Sequence, residues 1–179
     1  CDEKEFSLLN SKSDILFLFD YQNLEFKFDF SKYKEIVLLA FSAGVFVSSI
    51  LNFNFKIKNK IAIYGNPYLF DEHFGLSKNM IQIFKNINEE NCDDFRLNYL
   101  VQTKEEFENF KKAQPQRTLE SCNFELDCLK KIYDENYNNI KNIFDVVLAG
   151  ENDKIFTLKT QKEFFKDKLK VIQNARHNI

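Results

Sequence analysis

Short apolar runs bounded by polar residues recur along this chain, and most have the length of a strand buried on both faces. They cover residues 14–21, 35–42, 60–65, 144–149 and 170–173. Helical patterns separate them, one beginning near Val45 and another over residues 160–169, while residues 2–9 suit a short first helix or turn. Strands that alternate with helices are typical of βαβ units. The pattern therefore predicts an α/β fold with a mostly parallel sheet.

One connection is much longer than the others. Residues 68–142 separate the third and fourth apolar runs, although a dozen or so residues suffice for a crossover. Their apolar positions recur at helical spacing, as in Ile81, Phe84 and Ile87. We expect a core formed by residues 1–67 and 143–179, and a helical insertion over 68–142 that covers a site as a lid. Ordinary flanking helices would give the same periodicity.

Length and composition describe one globular domain, with 179 residues, 44% of them hydrophobic and 29% charged. The formal net charge of -2 leaves no basic excess to neutralise phosphates, so nucleic-acid binding is not expected. The sequence has no run of about eighteen apolar residues, so no membrane span is expected either.

The cysteines and histidines give no metal-binding pattern. None of the four cysteines belongs to a C-x-x-C pair, and the chain has two histidines. These residues are Cys1, Cys92, Cys122, Cys128, His73 and His177. We expect no metal and no cofactor. Since no signal peptide is recognised, we expect free thiols, a cytoplasmic location and a monomer.

Ser42 lies between a predicted strand and a predicted helix, in the sequence AFSAG. This is close to the G-x-S-x-G nucleophile elbow, with Ala40 in place of the first glycine. The elbow needs small residues because its strand-to-helix turn is sharp. In such a turn Ser42 is exposed at the carboxyl end of the sheet, and the N–H of Ala43 faces a developing oxyanion. A strand and helix whose small residues merely allow close packing would have the same pattern.

Two further residues follow the carboxyl ends of predicted strands. Asp153 comes after the 144–149 run and His177 after the 170–173 run, so the chain order is Ser…Asp…His, as in hydrolases with this elbow. Histidine is the side chain best suited to act as a base near neutral pH, so His177 would take the proton of Ser42 and return it to the leaving group. Asp153 would hold the imidazole tautomer and stabilise the imidazolium.

The competing residues fit these roles less well. Asp145 lies at the start of its strand, which is the opposite edge of the sheet, and Asp20 precedes the serine in the chain. His73 follows the third run among acidic residues, where a solvated position at the start of a helix is expected. We therefore favour Ser42, Asp153 and His177.

The sequence resembles a known family. The pieces LFLFDYQNLEF, FSKYKEIVLLAFSAGVFVSSI, KIAIYGNP, VVLAGENDKIF and NARHNI look like the BioG-type pimeloyl-[acyl-carrier-protein] methyl ester esterases, over nearly the whole chain. The resemblance implies an α/β-hydrolase core with a helical lid. It also implies cleavage of the methyl ester of pimeloyl-acyl-carrier-protein (pimeloyl-ACP) in biotin biosynthesis. By matching motif, the triad falls on Ser42, Asp153 and His177.

The sequence departs from the family pattern at two places. Phe41 and Ala43 flank the serine, where relatives often have a tryptophan before it and a bulkier residue after it. The family also begins with a strand and a Gly-Trp-Gly-like loop that supplies a second oxyanion donor, and neither is recognised here. We expect that strand to lie upstream of Cys1 and to fill the sheet between the 14–21 and 35–42 runs.

The resemblance also implies an acidic carrier protein and an aliphatic acyl chain as ligands. Cations of the insertion could bind the carrier, and they are Arg96, Lys104, Lys111, Lys112 and Arg117. Phenylalanines could line an apolar slot, and the candidates are Phe41, Phe107, Phe110 and Phe156. Solvated helix faces and core packing explain the same residues. The expected activity is that of a serine carboxylic ester hydrolase. The alternatives are another esterase or thioesterase of this fold, and a non-catalytic binding protein on a hydrolase scaffold.

Overall fold

The computed structural model describes residues 3–6, 11–113 and 115–178, and these form one four-stranded sheet flanked by helices. The strands are β1 (Val37–Phe41), β2 (Asn59–Ile63), β3 (Val146–Gly150) and β4 (Leu169–Ile172). Each lies within two residues of its predicted run. The parallel α/β fold expected from the sequence is confirmed.

The strands follow one another across the sheet in chain order, and every neighbouring pair is parallel. The register aligns Ala40 with Ala62, Ala62 with Val147, and Val147 with Leu169. Since all strands point the same way, their carboxyl ends share one edge. Residues that follow β1, β3 and β4 are therefore brought to the same edge of the sheet.

The described residues contain six α-helices and a π-helix. The α-helices are α1 (Ala43–Ile50), α2 (Lys78–Lys85), α3 (Cys92–Phe95), α4 (Lys104–Lys112), α5 (Leu119–Asn136) and α6 (Leu158–Phe165), and the π-helix is Arg96–Leu100. The helices α2 to α5 occupy the long connection between β2 and β3, where the periodicity predicted helices. Of the predicted element over 2–9, a 3₁₀ turn at Glu3–Phe6 is described and the rest lies outside the described residues.

The core has two main apolar clusters. One joins the sheet to α6 and includes Ala40, Ala62, Val147 and Phe165. The other joins α1 to the helices of the long connection, because Phe46 packs with Met80 of α2 and with Leu129 and Tyr133 of α5. The Phe46 and Tyr133 ring centroids lie 5.3 Å apart. Helix α1, which begins directly after Ser42, is thus buried between the sheet and the connection.

The strand predicted over residues 14–21 is wrong. Residues 14–20 join no strand among those the structure describes, and the side chains of Ile15, Leu16, Leu18 and Phe19 are 37–46% exposed. A strand requires ladder hydrogen bonds to a neighbour, and an apolar run alone does not supply them. Likewise, the outer edge of β1 has no partner strand within the described ranges. The expectation of a further strand upstream of Cys1 stays a prediction.

Within the described ranges, no helix has the length and apolar character needed to cross a membrane.

Candidate active site

Ser42 lies in a sharp turn between β1 and α1. Its φ of 52° and ψ of -120° belong to a region that non-glycine residues rarely occupy. The turn is held by the Ser42 N–H, which donates to Ile63 O at 2.9 Å, and by the Val45 N–H, which donates to Ser42 O at 3.1 Å. The neighbouring strand and the first turn of the helix thus fix the strained backbone at the serine.

Glycine is required beside this turn. A Cβ added to Gly65, which follows β2, would lie 2.3 Å from Ser42 O and 2.7 Å from Val45 Cγ2. The space beside Gly44 is less restricted, because an added Cβ would meet only the hydroxyl of Tyr21, at 2.9 Å. The approach of β2 to the serine therefore depends on Gly65, a residue that the sequence pattern did not single out.

Ser42, His177 and Asp153 form a continuous hydrogen-bonded chain. The Oγ of Ser42 lies 3.0 Å from His177 Nε2, and His177 Nδ1 lies 2.9 Å from Asp153 Oδ2. The side chains of His177 and Asp153 are 5% and 1% exposed. The three residues picked from strand ends are therefore brought together, in the order that proton transfer from the serine would require.

The second oxygen of Asp153 is also bound. Asp153 Oδ1 accepts the N–H groups of Ile155, at 2.7 Å, and Phe156, at 3.0 Å. These bonds fix the carboxylate within its own turn, so that Oδ2 points to the imidazole. An ionised carboxylate only accepts hydrogen bonds, so this arrangement suits the imidazole tautomer in which Nδ1 donates to Asp153 and Nε2 accepts from Ser42.

The loops that carry Asp153 and His177 are bonded to each other. The N–H of Glu151 donates to Ile172 O at 3.0 Å, and that of Asn152 donates to Ala175 O at 2.8 Å. At Gly150 an added Cβ would lie 2.7 Å from Ala175 O, so glycine permits this close approach. We name residues 150–156 and 173–178 the acid–base loops, because these contacts join them into one unit.

Three aromatic rings surround the His177 imidazole. Their centroids lie 5.4 Å (Phe41), 5.7 Å (Phe156) and 5.9 Å (Tyr64) from that of the imidazole. Burial, and then the charge of Asp153, raise the pKa of Tyr64. Phe41 and Phe156 were candidates from the sequence, whereas Tyr64 was missed. Its signal was its place near the end of the third apolar run, at the same sheet edge as Ser42.

The other two candidate phenylalanines lie in the long connection. Phe107 and Phe110 of α4 are buried with Val101 in an apolar cluster of their own. This cluster holds α4 against the chain that precedes it. The structure thus brings Phe41 and Phe156 to the imidazole and gives Phe107 and Phe110 a packing role.

The candidate cations differ in how far they are engaged within the chain. Lys104, Lys111 and Lys112 are exposed. The Lys111 ammonium lies 4.4 Å from the Phe107 ring centroid and 3.6 Å from Asp93. Arg96 donates to the same Asp93 carboxylate, at 2.7 Å. The surface of α4 is therefore the part of this set that presents cations to solvent.

Arg117 is engaged inside the protein. Its side chain is 9% exposed, and its guanidinium donates to Glu125 at 2.6 Å, to Asp20 at 2.9 Å and to Ser121 Oγ at 2.9 Å. Glu125 also accepts the N–H of Tyr21, at 2.6 Å. These contacts, which we name the Arg117 cluster, tie residues 20–21 to α5.

The competing residues lie away from the chain of hydrogen bonds. Exposed His73 pairs with Glu163, at 3.0 Å from Nε2 to Oε2. Asp145 accepts the N–H of Lys60 at the amino end of the sheet, at 2.9 Å, and Asp20 pairs with Arg117. Across residues 3–6, 11–113 and 115–178, no group of three His, Cys, Asp or Glu side chains could hold a metal ion.

Comparison with known proteins gives one consistent family. The family model for the pimeloyl-ACP methyl esterase BioG matches residues 2–178. An uncharacterized protein of Haemophilus influenzae is 27% identical over 161 residues, which are 88% of this chain and 73% of that protein. The crystal structure of selenomethionine BioG from Haemophilus influenzae matches with a TM-score of 0.75 at 25% identity, covering 89% of this chain and 75% of that one. The chain therefore belongs to the BioG family of pimeloyl-ACP methyl esterases.

Proposed function

We propose that this protein is a serine carboxylesterase that hydrolyses the methyl ester of pimeloyl-ACP, with Ser42 as nucleophile, His177 as general base and acid, and Asp153 as its orienting carboxylate. The family name supports the esterase activity and the carrier-bound substrate. The observation that carries the mechanism is the hydrogen-bonded chain from Ser42 Oγ through both imidazole nitrogens to Asp153. The product, pimeloyl-ACP, serves biotin biosynthesis.

The first step is acylation of the serine. As Ser42 Oγ attacks the ester carbonyl carbon, its proton passes to His177 Nε2, and Asp153 stabilises the imidazolium. The tetrahedral intermediate collapses when the bond from the carbonyl carbon to the methoxy oxygen breaks. The imidazolium then returns its proton to that oxygen, so that methanol leaves and the acyl group stays on Ser42.

The second step is hydrolysis of the acyl-serine. Water takes the place of methanol, His177 removes one of its protons, and the resulting hydroxide attacks the same carbonyl carbon. Collapse breaks the bond to Ser42 Oγ, which regains a proton from His177. The free carboxylate of the pimeloyl group leaves, and the enzyme returns to its starting state.

The proposed oxyanion donor is the N–H of Ala43. As the first residue of α1, Ala43 has no acceptor for its N–H within the helix. The amino end of α1 also favours negative charge. Both facts support an amide that donates to the oxygen of the tetrahedral intermediate.

We further propose that residues 1–67 and 143–179 form an α/β-hydrolase core and that residues 68–142 form its lid. The helices of this stretch leave the sheet after the carboxyl end of β2, on the edge that carries Ser42. The apolar faces of α2 and α5 pack in one cluster with Phe46 of α1. An insertion at this edge can exclude water from an acyl-enzyme.

The acyl chain and its carrier need different surfaces. Phe41 lies in contact with the imidazole and is the proposed apolar wall for the acyl chain. The buried Phe156 also packs against the imidazole and supports it. For the acidic carrier protein, the exposed Lys104, Lys111 and Lys112 of α4 are the proposed contacts. Arg117 is left out because its ion pairs are internal.

Methanol release from methyl pimeloyl-ACP tests this function. We expect release by the wild-type protein and a fall of about 10⁶-fold in kcat for Ser42→Ala. The matched control is Ser49→Ala, which removes another buried hydroxyl, one bonded to Val45 O at 2.6 Å within α1. Its kcat should stay within about twofold of wild type.

The same assay separates the alternatives, since both products are measured. Release of free pimelate monomethyl ester from the carrier instead of methanol would identify a thioesterase and contradict the proposal. Binding of methyl pimeloyl-ACP without either product would identify a non-catalytic binding protein.

A further inference from the structure

The residues next to Asp153 and His177 bind one short stretch of the long connection. Arg176, which precedes His177, donates from Nη1 to Val101 O at 2.5 Å and to Leu97 O at 2.6 Å, with Asn98 O at 3.4 Å. We name residues 97–102 the latch segment. It contains the end of the π-helix and the turn before α4.

Both neighbours of Asp153 contact the same segment. The side-chain amide of Asn152 donates to Gln102 Oε1 at 3.1 Å, and the Lys154 ammonium lies 5.9 Å from the Tyr99 ring centroid. The acid–base loops therefore meet the long connection through residues on either side of the acid and directly before the base. They also line a cleft with the latch segment, formed by Gln102, Asn152, Asp153, Lys154 and Arg176.

The carbonyls bound by Arg176 need a donor from outside the helix. The last carbonyls of any helix have no N–H partner within it, and here the last helical bond runs from Val101 N to Arg96 O, at 3.1 Å. Val101 is buried, so water cannot easily satisfy its carbonyl. The Nη1 atom of a guanidinium carries two N–H donors, which suits the two carbonyls that lie within 2.6 Å of it, those of Val101 and Leu97.

The same guanidinium is one residue away from the imidazole. His177 sits in a loop whose contacts with the Asp153 loop are numerous, so the two loops shift together or not at all. The only backbone between the guanidinium anchor and the imidazole is a single peptide unit. A displacement of the latch segment would thus reach Nε2 directly and alter its 3.0 Å separation from Ser42 Oγ.

We propose that Arg176 is a positioning residue, which sets the distance from His177 to Ser42 by fastening the acid–base loops to the latch segment. This inference rests on the proposed function, because it assumes that His177 activates Ser42. Under this inference, Ser42 is fully active only when the latch segment is bound to the acid–base loops. Removal of the guanidinium leaves Ser42, His177 and Asp153 in the chain but loosens their alignment.

A purely structural role for Arg176, as a cap of the π-helix, has a different signature. Loss of a cap lowers the free energy of unfolding, typically by about 1 kcal/mol, without slowing the folded enzyme. Loss of alignment slows the reaction of Ser42 itself, since a displacement of about 1 Å can reduce a rate by about 10²-fold. The rate of Ser42 phosphonylation in folded protein distinguishes the two.

The experiment measures fluorophosphonate labelling rates and urea unfolding of Arg176→Ala and Arg176→Lys. We expect labelling of Arg176→Ala to be about 10²-fold slower, with about tenfold of that loss recovered in Arg176→Lys, whose ammonium still reaches the carbonyls. Guanidinium chloride at low millimolar concentration should accelerate Arg176→Ala and leave the wild type unchanged.

The matched control is Lys168→Ala. Lys168 also donates from a cationic side chain to a backbone carbonyl, that of Phe144 at 2.8 Å, but it directly precedes β4 at the amino edge of the sheet. Its labelling rate should equal that of the wild type. Arg176→Ala that labels at the wild-type rate, or slows only in proportion to its unfolded fraction, would overturn the inference. Equal labelling of Ser42→Ala and wild type would instead overturn the proposed function.

Discussion

Two groups of paired, largely buried side chains in this protein look alike, but only one of them has an atom that can still accept a proton. The acid–base pair of Asp153 and His177 and the Arg117 cluster each join segments that are distant in the chain. In the cluster the guanidinium is surrounded by acceptors from Asp20, Glu125 and Ser121. In the pair, one imidazole nitrogen remains for the hydroxyl of Ser42, at 3.0 Å.

That difference separates an ion pair that only stabilises the fold from a pair that can also take part in proton transfer. Arg117, Glu125, Asp153 and His177 are all largely buried, and burial alone marks neither group as functional. The Arg117 guanidinium donates to all three of these neighbours, and it has no acceptor atom that could take the proton of the Ser121 hydroxyl beside it. The Nε2 atom of His177 instead faces the hydroxyl of Ser42, which lies in a strained turn, and an imidazole nitrogen can accept a proton from such a hydroxyl. What favours Ser42 as the proposed nucleophile is therefore an imidazole nitrogen that can accept its proton, and not the burial of charge.

Within this comparison, the largest effect is expected when the carboxylate of Asp153 loses its charge. Asp153→Asn keeps the shape but presents an amide to His177 Nδ1, which favours the wrong imidazole tautomer. We expect kcat for methyl ester hydrolysis to fall by about 10⁴-fold. Asp145→Asn is the matched control, since Asp145 accepts the Lys60 N–H at the opposite sheet edge, and its kcat should stay within about twofold. Equal kcat for both variants would show that Asp153 has no role in the reaction.

The members of this pair could be predicted from the sequence because local patterns determine their positions. An apolar run ends in a turn, and parallel strands bring their carboxyl ends to one edge. Ser42, Asp153 and His177 all follow such runs. Gly65 and Tyr64 were missed, although they follow β2 at the same edge, because their importance comes from contacts with Ser42 and His177 that no local pattern encodes.

A second test displaces the serine without changing the pair. In Gly65→Ala the new Cβ would clash with backbone, 2.3 Å from Ser42 O, and β2 would have to move away from the elbow. We expect the free energy of unfolding to fall by about 3 kcal/mol and labelling of Ser42 to slow sharply. In Gly44→Ala the clash is with a side-chain hydroxyl at 2.9 Å, so the loss should be smaller. Urea unfolding midpoints measure both, and equal losses would contradict this description of the turn.

The Arg117 cluster should respond in the opposite way. Arg117→Met removes the cation and leaves the largely buried Glu125 carboxylate without it, while the more exposed Asp20 is partly compensated by water. We expect the free energy of unfolding to fall by about 2 kcal/mol, with kcat of the folded protein unchanged. Lys130→Met, which removes an exposed helical pair with Asp134, should change the free energy of unfolding by about 0.5 kcal/mol or less. Loss of kcat in Arg117→Met would remove the distinction between the two groups.

Sequence reasoning could not find this cluster. Arg117 was a candidate for the carrier surface because it is a cation of the predicted insertion and the carrier is acidic. Its partner Asp20 lies 97 positions away, so nothing near Arg117 indicates that the guanidinium points inward. The same contacts explain part of the wrong strand prediction over residues 14–21, whose end is held by α5 rather than by a sheet neighbour.

The smallest expected effect concerns cations that neither group uses. Lys104→Glu with Lys112→Glu reverses two exposed charges of α4 that belong to none of the ion pairs described above. We expect KM for methyl pimeloyl-ACP to rise about tenfold at low salt, with kcat unchanged, because carrier encounter depends on charge. KM for a small methyl ester should not change. An equal rise for both substrates would exclude α4 as the carrier surface.

The central claim is that Ser42 is activated by the free nitrogen of His177. Its most direct test is the mass of the protein after reaction with a fluorophosphonate, followed by peptide mapping. We expect one phosphonyl group per chain, on Ser42, in the wild type and in Ser49→Ala, and none in Ser42→Ala. No adduct, or an adduct on another residue that persists in Ser42→Ala, would contradict the account.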